Sequence, residues 1–289
     1  MAKDTFFCPK KTLNLRGKII NLSAPLVMGI VNITPDSFFD GGKHKTTWDV
    51  VKHAERMLEE GAHILDLGAA SSRPGTGLID PREEQERLLP VIKAILRRFP
   101  DTLLSVDTYN SETALVAVEA GAHMINDISA GNIDPAMFDT ISRLQVPYVI
   151  MHMQGTPATM QKNPVYKDLI KEISLYFSEK IRNLNAMGVN DIILDPGFGF
   201  GKTVEHNYRL LDQLDFFRIF DLPLLVGVSR KSMITRVLGN TPAEALNGTT
   251  AVNTLAVLKG AHILRVHDVR EAIEAIKIAE MLKSQSEFA

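Results

Sequence analysis

A single cysteine, Cys8, excludes an internal disulfide and any zinc site built on a cysteine cluster. Excess charge is lacking too. Lys and Arg number 32 against 34 Asp and Glu, leaving a net charge of -2, so any polyanion must be met locally rather than by a general field. No apolar run reaches the ~18 residues of a membrane-spanning helix, and the opening Met-Ala-Lys-Asp-Thr-Phe-Phe has no long apolar core. The expectation is a cytoplasmic protein that binds neither nucleic acid nor membrane.

Two nucleotide motifs are also incomplete. The stretch Asp195-Pro-Gly-Phe-Gly-Phe-Gly-Lys-Thr203 ends like a phosphate-binding loop, but Pro196 occupies the position of its first glycine and has no N–H to offer. A dinucleotide fingerprint would need its third glycine at Phe200 or Lys202. What remains is a buried strand that delivers Asp195 to a glycine-built rim.

What is present is a repeat. Helical segments close at Gly61, Gly121, Gly188 and Gly260, where glycine suits a left-handed C-terminal residue, and each is followed at once by an apolar strand-like run. Between them lie four runs led by Pro25, Pro100, Pro147 and Pro223, and proline is tolerated at a strand's first position. Helix starts are marked by Asp80-Pro81, by Asp134-Pro135 and by the capping box Thr241-Pro-Ala-Glu244. Apolar faces follow, with Val50, Val51, Ala54, Met57 and Leu58 on the first helix and Val269, Ala272, Ile273, Ile276 and Ala279 on the last. Eight βα units in about 250 residues predict an α/β fold of the (β/α)8 TIM barrel type, with an open doubly wound sheet as the competitor. Two short alternating segments around Arg16-Gly17-Lys18 predict an N-terminal β-hairpin at about 12–23, ahead of a barrel at about 25–282. With 45% hydrophobic residues and no internal linker, the 289 residues read as one domain.

In such barrels the active site lies at the C-terminal ends of the strands. Those positions hold Asn32, Asp66, Asp107, Asn126-Asp127, Met151-His152, Asp195, Ser229-Arg-Lys-Ser232 and Arg265-Val-His267-Asp268. His63, His123 and His262 each follow a helix-ending glycine by two residues, so they belong at the opposite end and are structural. Arg265 and His267 point the same way on an extended segment. Arg73, Arg265, His267, Ser71 and Ser72 are donors suited to a phosphate or diphosphate. Asp107, Asn126, Asp195 and Lys231 suit a flat heterocycle with an amidine-like edge. An ion-pair network lining the barrel mouth would account for the same residues.

The assembled motifs resemble the dihydropteroate synthase family. They are Met28-Gly-Ile-Val-Asn-Ile-Thr-Pro-Asp-Ser-Phe38, Ser72-Arg-Pro-Gly75, Ser105-Val-Asp107, Asn126-Asp-Ile-Ser129, Met151-His-Met-Gln-Gly155, Asp195-Pro-Gly-Phe-Gly-Phe-Gly-Lys202, Ser229-Arg-Lys-Ser232 and Arg265-Val-His267, in order along nearly the whole chain. The resemblance implies a transferase of folate biosynthesis, the sulfonamide target. It condenses 6-hydroxymethyl-7,8-dihydropterin diphosphate with 4-aminobenzoate, and diphosphate leaves before the amine attacks.

The resemblance also implies roles. Asp107, Asn126, Met151, Asp195, Phe200 and Lys231 would bind pterin, and Ser72, Arg73, Arg265 and His267 the diphosphate. Phe38, Pro74 and Ser232 would form the aminobenzoate slot, and Asn32 would help hold Mg²⁺, the one cofactor. Asp36, Asp107, Lys231, Arg265 and His267 are the expected catalytic residues, and a homodimer is expected. One stretch departs from the pattern: Gly68-Ala-Ala-Ser-Ser-Arg73 stands where many members have Gly-Gly-Glu-Ser-Thr-Arg, so an acidic loop residue is missing. The alternatives are a methyltetrahydrofolate-type pterin methyltransferase, which leaves the Arg73/Arg265/His267 anion site unexplained, and a non-catalytic pterin-binding paralogue.

Overall fold

The computed structural model describes residues 12–33, 47–69, 78–160 and 164–286. The predicted hairpin pairs β1 (Thr12–Leu15) with β2 (Lys18–Asn21), antiparallel and in register Leu15 with Lys18. Its two turn residues, Arg16 and Gly17, both have positive φ, 54° and 91°, as a tight hairpin matched to strand twist requires.

Eight parallel strands follow: β3 (Leu26–Asn32), β4 (Ile64–Gly68), β5 (Leu103–Asp107), β6 (Met124–Asp127), β7 (Tyr148–Met151), β8 (Ile192–Asp195), β9 (Leu225–Val226) and β10 (Ile263–Val266). They pair in the order β8-β7-β6-β5-β4-β3-β10-β9, and a parallel bridge between Leu194 and Leu224 brings the two ends together into a nearly closed barrel. Between and after them run α1 (Thr47–Glu59), α2 (Pro81–Arg98), α3 (Ser111–Glu119), α4 (Met137–Leu144), α5 (Leu169–Ala186), α6 (Val204–Asp212), α7 (Ser232–Leu238), α8 (Leu246–Leu258) and α9 (Val269–Ser286). None of the described helices is long and apolar enough to cross a membrane.

The expected glycines end their helices, at φ between 79° and 114°. Asp80 caps α2, accepting the Arg82 N–H at 2.9 Å, with Pro81 as first helical residue. Two helix starts differ from expectation. Asp134 spends one oxygen on the Ala136 N–H and the other on the Ser111 N–H of α3, so α4 begins only at Met137. The Thr241 box closes a 3-10 turn, Pro242–Glu244, ahead of α8.

Two layers of core result. Outward-facing strand residues pack under the helices, whereas inward-facing Met28, Ile64, Met124, Val149, Ile193, Leu225 and Ile263 meet Leu13 and Leu15 of the hairpin. The hairpin therefore plugs the bottom of the barrel. Side chains alternate along a strand, so the next inward position, two residues on, forms the floor of whatever the mouth holds. That layer contains Asp66, Ser105, Asn126, Met151, Asp195 and Arg265.

The three bottom histidines make one repeated contact. His63 Nδ1 accepts the Val27 N–H at 3.1 Å, His123 that of Leu104 at 3.2 Å and His262 that of Leu224 at 3.1 Å. Accepting requires a neutral ring. Burial, aided by Lys18 and Arg16, lowers His123 to about 4, and burial with Arg218 and Lys283 does the same to His262. A lowered folded-state pKa means stability that is complete above the ordinary value of 6.5 and is lost as pH falls from there towards 4. At about 1.4 kcal/mol per unit, discounted for partial solvent access, each ring contributes on the order of 2 kcal/mol. Thermal melts at about pH 7 and about pH 4.5 should show a shallower acid loss in His123→Gln/His262→Gln than in the parent. An unchanged slope would rule these rings out as its cause.

Candidate active site

The floor and mouth of the barrel form one connected polar system. Arg265 reaches inward from β10 and donates through Nε to Asp66 Oδ2 at 2.6 Å and through Nη2 to Asp107 Oδ2 at 2.6 Å. Asn126 donates its amide to the same Asp66 oxygen at 3.1 Å, leaving its carbonyl oxygen for another partner. Burial raises Asp107 to about 7, against the pull of Arg265, and Asp66, Glu84 and Asp127 push the same way. Burial also works against the Arg265 charge, but Asp66 and Asp107 outweigh it and raise its pKa.

On the opposite wall, Asp195 is buried and holds the Gly197 N–H at 2.8 Å. Burial raises its pKa, with Lys231 the strongest opposing charge. Lys231 is itself lowered to about 8 by burial, and it donates to the Phe198 carbonyl at 2.5 Å while passing 4.7 Å from the centre of the Phe200 ring. Met151, Tyr109 and Ile128 form an apolar patch against which Phe200 packs. A recess with carboxylates, an amide, two cations and one apolar wall suits a flat polar heterocycle.

The glycine rim is rigid because its backbone is held from many sides. Lys202 Nζ contacts the carbonyls of Gly197 at 2.9 Å and Phe200 at 3.2 Å, together with His152 Nδ1 at 3.0 Å and the His152 carbonyl at 3.3 Å. Asn207 accepts the Gly199 N–H at 2.7 Å, and the Tyr166 hydroxyl donates to Gly201 O at 2.7 Å. Burial lowers Lys202 to about 7. Lys202 is therefore a clamp inside the rim and not a phosphate ligand. His152, expected at the active face, is buried and edge-on to Tyr176 at 5.0 Å; burial and then Lys202 lower its pKa to about 2. It serves the clamp.

The remaining expected residues divide. Asn32 is exposed at the end of β3, in register with Gly68, which is in register with Asp107, so all three stand at the mouth. His267 is exposed above Arg265, and Ser232 is exposed as the first residue of α7. Asp36, Phe38, Ser71, Ser72, Arg73 and Pro74 lie outside the described residues. Asp66 and Ser229 stood among the strand-end residues without an assigned role. The signal for Asp66 was a carboxylate in an inward register shared with Asn126 and Arg265, which becomes readable once the plug fixes which face is inside.

Residues 28–267 match the family described as pterin binding enzyme. The dihydropteroate synthase of Escherichia coli (strain K12) is 46% identical over 274 residues, which are 94% of this chain and 96% of that protein. A crystal structure of the Yersinia pestis dihydropteroate synthase with a sulfonamide drug superposes with a TM-score of 0.90 at 44% identity, covering 94% of this chain and 99% of that one. The Xanthomonas albilineans dihydropteroate synthase in complex with 7,8-dihydropteroate gives 0.85 at 37% identity, covering 94% and 98%. This chain belongs to the dihydropteroate synthase family within the pterin binding enzymes, and it is a transferase.

Proposed function

We propose that the chain condenses 6-hydroxymethyl-7,8-dihydropterin diphosphate with 4-aminobenzoate, forming 7,8-dihydropteroate and releasing diphosphate. The observation that carries this reading is the polar floor, in which Asp107, Asn126 and Asp195 from three strands, with Lys231, offer acceptors and a donor to one flat ring. Carboxylates accept the parallel N–H groups of the amino-pyrimidine edge, and Lys231 and the Asn126 amide serve its carbonyl and ring nitrogens. Met151 and Phe200 supply apolar contact.

In this mechanism the bond between the pterin methylene and the diphosphate oxygen breaks first, and its electron pair leaves with the diphosphate. Arg265 and His267 stand where that charge develops. The methylene cation is tolerated by the electron-rich pterin and by the carboxylates beneath it, and the lone pair of the aminobenzoate nitrogen then forms the new C–N bond as that nitrogen sheds a proton. Positioning and electrostatics supply the acceleration, and no residue becomes a covalent nucleophile.

Asn32 fits a Mg²⁺ ion that takes its other oxygens from substrate phosphates and water. It is a neutral oxygen donor exposed at the mouth, and no group of three His, Cys, Asp or Glu among the described residues offers a protein-only cage. When bound, the ion adds positive charge to the leaving diphosphate. The expected roles of Asp36, Phe38, Ser72, Arg73, Pro74 and Ser232 belong to the same proposal. So does a homodimer, supported by exposed Val237, Leu238, Leu255, Ile278 and Met281 on α7, α8 and α9, and readable by sedimentation.

Purified protein given Mg²⁺ and both substrates should release diphosphate and form dihydropteroate, and absence of turnover would overturn the assignment. Asp195→Ala should weaken calorimetric affinity for the pterin by about 100-fold, the scale of losing charge-assisted hydrogen bonds in a buried site. An affinity within about twofold of the parent would remove Asp195 from the pocket.

A further inference from the structure

The loops after β9 and β10 are fastened to each other twice. On the outside, Arg230 grips Asp268 with two parallel hydrogen bonds, Nε to Oδ2 at 3.0 Å and Nη2 to Oδ1 at 2.5 Å. On the inside, Ser229 Oγ lies 2.9 Å from His267 Nδ1 and accepts the His267 backbone N–H at 3.2 Å. The second fastening has a chemical consequence. Ser229 is buried, at 5% exposure, and its hydroxyl has one proton to place. Among the described residues its oxygen makes no hydrogen bond beyond these two.

If Nδ1 carried the imidazole hydrogen, Ser229 would accept twice and its own proton would be buried without an acceptor, a loss of about 1–3 kcal/mol. If the serine proton goes to Nδ1, every group is satisfied. The ring hydrogen then resides on Nε2.

We propose that Ser229 is a positioning residue that locks His267 in the Nε2–H form, so that the imidazole presents a neutral donor to an anionic oxygen at the barrel mouth. This rests on the reading of His267 as a diphosphate contact. A neutral donor is the form that suits the surroundings. Burial of the ring, together with the charges of Arg265, Arg230 and Lys231 and against the pull of Asp268, holds its pKa at about 4. A fourth cation would be opposed by the other three, whereas an oriented N–H adds a hydrogen bond without adding charge. Charge for the leaving group thus comes from the guanidinium, and direction from the imidazole.

The test combines two independent measurements. In protein labelled with ¹⁵N at histidine, a two-bond ¹H–¹⁵N correlation at neutral pH should show His267 with an unprotonated Nδ1 and a protonated Nε2, its signals assigned by their loss in His267→Gln. Ser229→Ala should convert this pattern to a tautomer mixture and raise KM for the pterin diphosphate by about 5- to 10-fold, the effect of one misdirected hydrogen bond. Affinity for the 6-hydroxymethylpterin lacking diphosphate should not change, and Ser229→Thr, which keeps a hydroxyl, should restore both tautomer and KM. A parent ring protonated at Nδ1, or a Ser229→Ala ring still locked, overturns the lock whatever substrate the enzyme uses. A mixed tautomer with unchanged KM overturns the anion-donor role and removes His267 from the diphosphate site. Equal weakening of both ligands by Ser229→Ala, unrescued by threonine, reduces Ser229 to a packing residue and overturns the proposal.

Discussion

Gly197→Ala is expected to destabilise the protein by more than about 3 kcal/mol and to abolish measurable pterin binding, from the addition of one methyl group. Gly197 has φ of 73°, where an L side chain is strained by about 1–2 kcal/mol before any contact is considered. The decisive term is steric. A Cβ there would stand 1.9 Å from the carbonyl oxygen of His152, a backbone atom that no rotamer change can move. The rim must therefore lift from the loop after β7, and Lys202 cannot keep its contacts to Gly197 O and His152 O when those atoms separate. The same displacement withdraws the N–H that holds Asp195. Gly199→Ala makes the useful contrast. Its Cβ would meet Lys231 Cδ at 3.2 Å, a flexible chain that can yield, so stability should fall less while the Lys231 ammonium is misplaced. Chemical denaturation and calorimetry read both quantities. A Gly197→Ala protein within about 1 kcal/mol of the parent, with pterin affinity intact, would contradict the clamped-rim account.

The second large effect is expected at Asp66, a buried residue in the floor of the barrel mouth. Asp66→Leu should lower stability by about 3 kcal/mol and kcat/KM by more than about 100-fold. Asp66 is fully buried and one of its oxygens receives both Arg265 Nε and the Asn126 amide. Leucine leaves two donors without an acceptor and lets the guanidinium swing towards Asp107, its other partner at 2.6 Å. Asp107 would then be occupied by Arg265 and less available to the pterin. Asp66→Asn keeps an acceptor of the same shape and should recover much of the stability but less of the activity, because the charge that balances Arg265 is gone. Melting and steady-state kinetics on the two variants separate packing from charge. Parent-like kinetics in Asp66→Leu would show that Arg265 is oriented without it.

Much of the barrel was legible because its local signals agree. Glycine after α1, α3, α5 and α8, proline before each alternate strand and a 3.6-residue apolar period are all short-range features, and they marked eight units without knowledge of what packs on what. The helix starts at Asp134 and Thr241 were less legible. Asp134 was drawn into a contact with α3, 23 residues earlier in the chain, and a capping box alone does not distinguish a 3-10 turn from an α-helix. His152 shows the same limit. It ends a strand at the active face, but only the packing of Lys202 and Tyr176 around it reveals that it is sealed from the mouth.

The stretch from Asp195 to Lys202 divides along that line. By itself the sequence determined that a strand ends in a carboxylate, that glycine spacing excludes a nucleotide loop because Pro196 cannot donate, and that the motifs along the chain belong together in one order. Tertiary structure decided the rest. It turned Lys202 inward onto carbonyls at the end of β7 and within the rim itself, joined Arg265 to carboxylates 199 and 158 residues away, and set Ser229 against His267 across 38 residues. The reason is that backbone propensity and side-chain period act over a few residues. Which buried donor meets which acceptor depends on where the closure of the barrel brings distant strands, and on the hairpin plug that makes one end of it the site.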